Sequence, residues 1–174
     1  KMLGELYCNF FYRHYGLKTV KTRFFNSYGP GEIPGRYRNV IPNFIFWALR
    51  NEALPITGSG DETRDFTYVG DIVDGLLQAG LVPEAVGEDI NLASGTEVKI
   101  IDLARLINRL TGNHAGIYHI PRRNWDTKDR LLASIVKAGR ILDYQPRVGF
   151  EEGIANNLEW FRQHWDEICG SADF

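Results

Sequence analysis

Strand-like and helix-like segments alternate along the whole of this 174-residue chain, cut apart by glycine and proline turns. That alternation restricts the fold to α/β architecture. Apolar residues at three- and four-residue steps predict helices over 2–15, 40–51, 71–79, 100–110, 135–142 and 151–165. In the first helix Leu3, Leu6, Tyr7, Phe10 and His14 form one face, yet Met2, Phe11 and Tyr15 put apolar groups on others. Gly16 and Gly112 stand where helices commonly stop, and Ser134 stands where the fifth one opens. Runs rich in Val, Thr and Phe or otherwise apolar predict strands over 19–25, 54–57, 65–69, 89–93 and 116–120. Residues 26–38 hold Gly29, Pro30, Gly31, Pro34 and Gly35, a loop long enough to be a candidate functional segment. No stretch has linker composition, so the chain reads as one unit, 1–174.

Charge excludes some functions. With 20 basic and 22 acidic residues the net charge is −2, which argues against a nucleic-acid or membrane-surface binder. No apolar run reaches the ~18 residues of a membrane span, and the first residues lack a secretory leader pattern. Two cysteines, Cys8 and Cys169, exclude a disulfide-stapled scaffold and fit a reduced, cytoplasmic setting. His14, His114, His119 and His164 never fall at metal-ligand spacing, so no metal site is expected. Gly58-Ser59-Gly60 lacks the third glycine of a dinucleotide loop and precedes a strand, so it reads as a hairpin turn.

Several blocks, in order, resemble a known family. Lys1-Met2-Leu3-Gly4-Glu5 is similar to the end of the Tyr-x-x-x-Lys signature of extended short-chain dehydrogenases/reductases. Arg23-Phe24-Phe25-Asn26-Ser27-Tyr28-Gly29-Pro30, Asn39-Val40-Ile41-Pro42 and Arg64-Asp65-Phe66-Thr67-Tyr68-Val69 resemble its next blocks. Pro121-Arg122-Arg123-x-x-Asp126 and Ala133-Ser134-Ile135-x-Lys137-Ala138 resemble its last two. The group is that of NAD-dependent nucleotide-sugar epimerases and dehydratases. The resemblance implies the end of a Rossmann-type NAD domain followed by a small mixed α/β substrate domain. The family's glycine-rich NAD loop, catalytic Ser/Thr and Tyr precede the Lys and have no match here. The implied object is therefore a C-terminal half, with NAD held mainly by an N-terminal half that this sequence does not contain.

The same resemblance implies roles. Lys1 would hold the nicotinamide ribose and lower the pKa of the absent Tyr, a cation favouring phenolate. Phe25 would lie beside the nicotinamide, and Asn26 would reach the substrate. Phe24 and Phe25 read otherwise as core aromatics, and Asn26 as a turn cap. Asn39 and the backbone of Val40 would bind phosphate, although Asn39 also reads as an ordinary N-cap. Thr57 would touch the base. Arg64 and Arg123 would grip the diphosphate through planar, charge-assisted contacts, and Asp126 would accept from a ribose hydroxyl. The bland alternative pairs these arginines with Asp65 and Asp126 at the surface. Arg130 or Leu131 falls where the family gates sugar size, and Arg130 would suit an acidic sugar.

The implied activity is that of a UDP-glucose 4-epimerase-like enzyme working through a 4-keto intermediate, a choice leaning on the run from Arg64 to Asp71 and on Trp125, Asp126 and Arg130. The alternatives are a dTDP-glucose 4,6-dehydratase, a UDP-glucuronate decarboxylase, or a module that binds a UDP- or dTDP-sugar without turnover. A homodimer through the first helix is also implied.

Overall fold

The computed structural model describes residues 1–124 and 126–174; Trp125, invoked above for 4-epimerase activity, lies outside the described residues. Helix α1 (Met2–Tyr15) leads into strand β1 (Lys21–Phe24), then β2 (Ser27–Tyr28). The glycine-rich loop follows, and α2 (Val40–Leu49) leads to β3 (Leu54–Thr57), β4 (Thr63–Arg64) and β5 (Thr67–Tyr68). Helix α3 (Val69–Leu81) precedes β6 (Asp89–Leu92) and β7 (Val98–Lys99), and α4 (Ile100–Thr111) precedes β8 (Ile117–Ile120) and β9 (Arg130–Leu131). Three helices close the chain: α5 (Val136–Leu142), α6 (Phe150–Gln163) and α7 (Trp165–Ser171).

The strands form four small sheets, and most pairings are parallel. β1 runs beside β6, with Lys21 opposite Asp89 and Phe24 opposite Leu92. β2 runs beside β5, and β3 beside β8 with Leu54 opposite Ile117. β4 lies between antiparallel β7 and parallel β9. Each strand pair joins segments far apart in sequence, as α/β crossovers require.

Two cores result. The larger buries Phe44, Ile45, Leu54, Ile56, Leu103, Ile107, Ile154 and Phe161 between α2, β3, α4 and α6. The smaller packs Ile72, Ile90, Leu92, Ala138, Leu142 and Tyr144 around β6, α3 and α5. Each fully buried Ile, Leu or Phe contributes about 1.5–3 kcal/mol of transfer free energy, so the larger core is the stronger scaffold. Helix α1 buries none of its residues; Leu3, Leu6, Tyr7, Phe10 and Phe11 stay exposed. Its tether is polar: Glu5 takes a bidentate pair of bonds from Arg23, at 2.7 and 2.6 Å. Arg23 also reaches Asp89, so one guanidinium joins α1, β1 and β6. No helix among the described residues is long and apolar enough to cross a membrane.

Several expectations need correction. The strand expected over 65–69 is split: Asp65 and Phe66 are buried between β4 and β5, and Val69 already starts α3. The Asp65 carbonyl is taken by the Asn26 side chain at 2.9 Å instead of by a neighbouring strand, while its carboxylate gathers donors from other loops. Gly58-Ser59-Gly60 is no hairpin turn, because β3 pairs with β8 while β4 pairs with β7 and β9. The first strand stops at Phe24, a residue that is 49% exposed and not core. Ser134 does not cap α5; Ile135 is the cap residue, without a side-chain bond. The last helix breaks at His164, whose Nδ1 approaches the Trp160 carbonyl at 3.0 Å, and α7 then turns Ile168 into the core.

Candidate functional site

The segments that carry the expected substrate residues converge on one cavity of about 350 Å³. Its wall contains Asn26, Asn39, Val40, Thr57, Arg64, Arg123 and Asp126. Those positions span a hundred residues of sequence, and the fold brings all seven together. Lys1 and Phe25 do not line the cavity. Lys1 is exposed at the cap of α1, and Phe25 is half-buried at the carboxyl end of β1, where its N–H donates to the Leu92 carbonyl at 3.3 Å. Ligands of α/β sheets commonly sit outside such carboxyl ends.

Each wall residue has a local reason for its place. Asn26 follows β1 with φ 33°, a left-handed conformation that Asn tolerates, and its Nδ2 donates to the Asp65 carbonyl at 2.9 Å. It thus ties the end of β1 to the β4–β5 corner. Asn39 is the cap residue of α2 but does not cap with its side chain; Nδ2 donates to Glu32 Oε1 at 2.7 Å instead. The N–H groups of Val40 and Ile41 therefore have no side-chain cap, Pro42 contributes no N–H, and no acidic residue sits in that turn. An open helix N-terminus favours an anion. Burial pushes the Glu32 carboxyl above its ordinary pKa.

Arg64 does not pair with its neighbour Asp65. Its Nη1 donates to the Thr63 carbonyl at 2.8 Å and its Nη2 to Asp126 Oδ1 at 3.3 Å. Asp126 also stands 4.0 Å from Arg122. The expected ribose acceptor is thus also an ionic partner that aims Arg64. Arg122 is turned to Asp129 and Glu62 and does not line the cavity, whereas Arg123 does. Asp65, fully buried, accepts from Ser94 N and Oγ at 2.9 and 2.6 Å, from Gly95 N at 3.0 Å and from Ala133 N at 3.3 Å. It pins the segments at Ser94–Gly95 and Ala133 to its own corner behind the wall. Arg130 points to Glu97 through two 2.7 Å bonds and does not line the cavity, so it offers nothing to an acidic sugar there. Arg130 holds Glu97 far below the ordinary carboxylate range, at about 2.

Sequence reasoning missed Arg36, Arg38, Glu62 and Trp47, which also line the cavity. A signal existed for two kinds. Val40, Asn43, Phe44 and Trp47 recur at helical steps on one face of α2, and Arg36 and Arg38 crowd the loop before its start. Glu62 serves the turn before β4. Burial pushes its carboxyl up, but backbone N–H groups of Glu62, Gly60 and Ser59 outweigh this and hold it below the ordinary value.

Comparison with known proteins decides the family. The sequence profile of the NAD dependent epimerase/dehydratase family matches residues 1–93. The chain belongs to that family. It is 33% identical over 168 residues to the UDP-N-acetyl-alpha-D-glucosaminuronate decarboxylase of Bacillus cytotoxicus, covering 94% of this chain and 52% of the relative. Among solved structures, an epimerase from Methanothermobacter thermautotrophicus superposes with a TM-score of 0.98 at 55% identity, covering 99% of this chain and 52% of that one. The UDP-glucose 4-epimerase of Thermotoga maritima, solved with UDP-glucose, gives 0.90 at 32% identity over 95% of this chain and 52% of that one. The chain spans about half the length of the curated relatives it matches.

Proposed function

We propose that the chain is the C-terminal, substrate-binding half of a nucleotide-sugar 4-epimerase, with UDP-glucose or a close UDP-hexose as substrate. One observation carries this: the seven residues expected to touch substrate line a single cavity at the open start of α2. In this reading the diphosphate sits at that helix start, where the Val40 N–H donates to it and Arg64 and Arg123 contribute guanidinium forks. Thr57, at the end of β3, faces the base. Asp126 accepts from the ribose while its other interactions keep Arg64 in place. Asn26, at the β1 end, reaches the sugar with an amide that can donate and accept.

The carboxyl end of parallel β1 and β6, with Phe25 half-buried beside it and Lys1 at the head of the tethered α1, fits the nicotinamide end of NAD. NAD, when bound, takes up the hydride from the sugar carbon and returns it. Lys1 contributes a fixed positive charge that favours a phenolate base supplied from outside this chain. The bare apolar surface of α1 supports a homodimer through that helix. The two free cysteines support a reduced cytoplasmic location.

The test is product analysis by proton NMR on the intact protein with UDP-glucose and NAD. UDP-galactose should accumulate, and Arg64→Ala should abolish its formation. Binding without turnover would mean a non-catalytic module. Absence of binding would overturn the reading of the cavity.

A further inference from the structure

The cavity holds more positive charge than a two-arginine grip explains. Arg36 and Arg38 line it together with Arg64 and Arg123, against the carboxylates of Glu62 and Asp126. Glu62 is committed to backbone N–H groups and Asp126 to Arg64. Arg36 and Arg38 are different. Among the described residues neither guanidinium comes within 4.0 Å of a carboxylate, although Arg38 stands near enough to Glu32 to favour its charged form, and Arg36 lies over the Tyr37 ring, 5.6 Å from its centre. Guanidinium groups on a cavity wall that no carboxylate contacts directly favour an anion there.

The loop that carries them is held in place from two sides. Buried Asn43, one turn into α2, receives the Gly35 N–H on Oδ1 at 2.8 Å and donates Nδ2 to the Gly35 carbonyl at 3.0 Å. From the opposite end of the sequence, the Asp173 carbonyl accepts the Arg36 N–H at 2.6 Å, and Gly35 and Asp173 form an isolated parallel bridge. A Cβ on Gly35 would lie 3.0 Å from that same carbonyl, which explains glycine here. Phe174 anchors the bridge by packing on Phe46 and Trp47, with ring centres 5.3 Å apart in both pairs.

We propose that Arg36 and Arg38 are a second diphosphate-binding pair, presented at the start of α2 by a loop that Asn43, Asp173 and Phe174 hold in position. This rests on the nucleotide-sugar reading above and adds residues to it. An anion at the α2 start then meets guanidinium groups from two separate segments: Arg36 and Arg38 from its own loop, Arg64 and Arg123 from β4 and the 121–126 stretch. With four arginines and two carboxylates among its lining residues, the wall carries the positive excess that a nucleoside diphosphate sugar needs.

The experiment is isothermal titration of UDP and of uridine into the intact protein at two salt concentrations. Two solvated charge-assisted contacts should make Arg36→Ala/Arg38→Ala bind UDP roughly 30-fold more weakly, with a shallower salt dependence and unchanged uridine binding. The charge-keeping pair Arg36→Lys/Arg38→Lys should recover part of the loss. Phe174→Ala should weaken UDP binding several-fold in the parent and add nothing in the double-alanine background, since it acts through the loop. UDP affinity within twofold of the parent in the double-alanine protein, while Arg64→Ala loses binding, would overturn the second pair and leave the cavity assignment standing. Absence of UDP binding by the parent would overturn both.

Discussion

Replacing Asp65 by Asn should unfold the support behind the cavity at low cost in shape and high cost in hydrogen bonds. The carboxylate is fully buried and faces donors on both oxygens: Ser94 N and Oγ, with Thr67 Oγ1 at 3.5 Å, on Oδ1, and Gly95 N and Ala133 N on Oδ2. An amide has one acceptor only. Its better orientation turns NH2 toward Ser94, where the hydroxyl can rotate to accept but the backbone N–H cannot. One buried N–H left unpaired costs about 1–3 kcal/mol, and the remaining bonds lose their charge assistance. Neutralising a buried carboxylate relieves some desolvation, but the donors aimed at it already offset that penalty. The net expectation is about 3 kcal/mol of destabilisation. With m near ~2 kcal/mol/M in urea, the midpoint should fall by about 1.5 M at unchanged m. Tryptophan fluorescence of the intact protein in urea reads this out. A fall under about 0.5 M, or a rise, would refute the view that Asp65 holds the Ser94–Gly95 and Ala133 segments to its own corner.

Three further substitutions probe other parts of the account. Asn157 is fully buried and its amide has no partner among the described residues, so Asn157→Leu should stabilise by about 1 kcal/mol, a rise of ~2–4 °C in Tm by calorimetry. A Cβ at Gly153 would land on the buried Tyr28 hydroxyl, so Gly153→Ala should cost about 2–3 kcal/mol in a urea titration. Burial raises the folded-state pKa of Glu32, so its contribution is fully present below the unfolded carboxylate pKa and is lost as pH rises through the folded value. Glu32→Gln should therefore gain Tm over the parent at pH 7 and show no gain near pH 4; equal Tm differences at both pH values would contradict that sign.

The architecture was legible because periodicity and turn residues are local. Helices at 2–15 and 100–110 and the strand at 54–57 match the fold to within a residue. What failed was decided by distant partners. The 65–69 strand breaks where the Asn26 side chain takes the Asp65 carbonyl and residues 94, 95 and 133 hold its carboxylate, partners that no local pattern shows. The hairpin at Gly58-Ser59-Gly60 fails because β3 and β4 found partners elsewhere. The cavity residues were readable as family blocks, whereas Arg36 and Arg38 lie in a glycine-rich loop outside any block. Their position depends on Asn43 and on Asp173, far along the chain.

Hydrogen–deuterium exchange on the intact protein, with and without UDP, tests the central assignment most directly. The account predicts slower exchange at the first turn of α2 around Val40, at Arg64 and across residues 121–126, with the remainder of α4 and α6 unchanged. Unaltered exchange at all three segments under saturating UDP would contradict it.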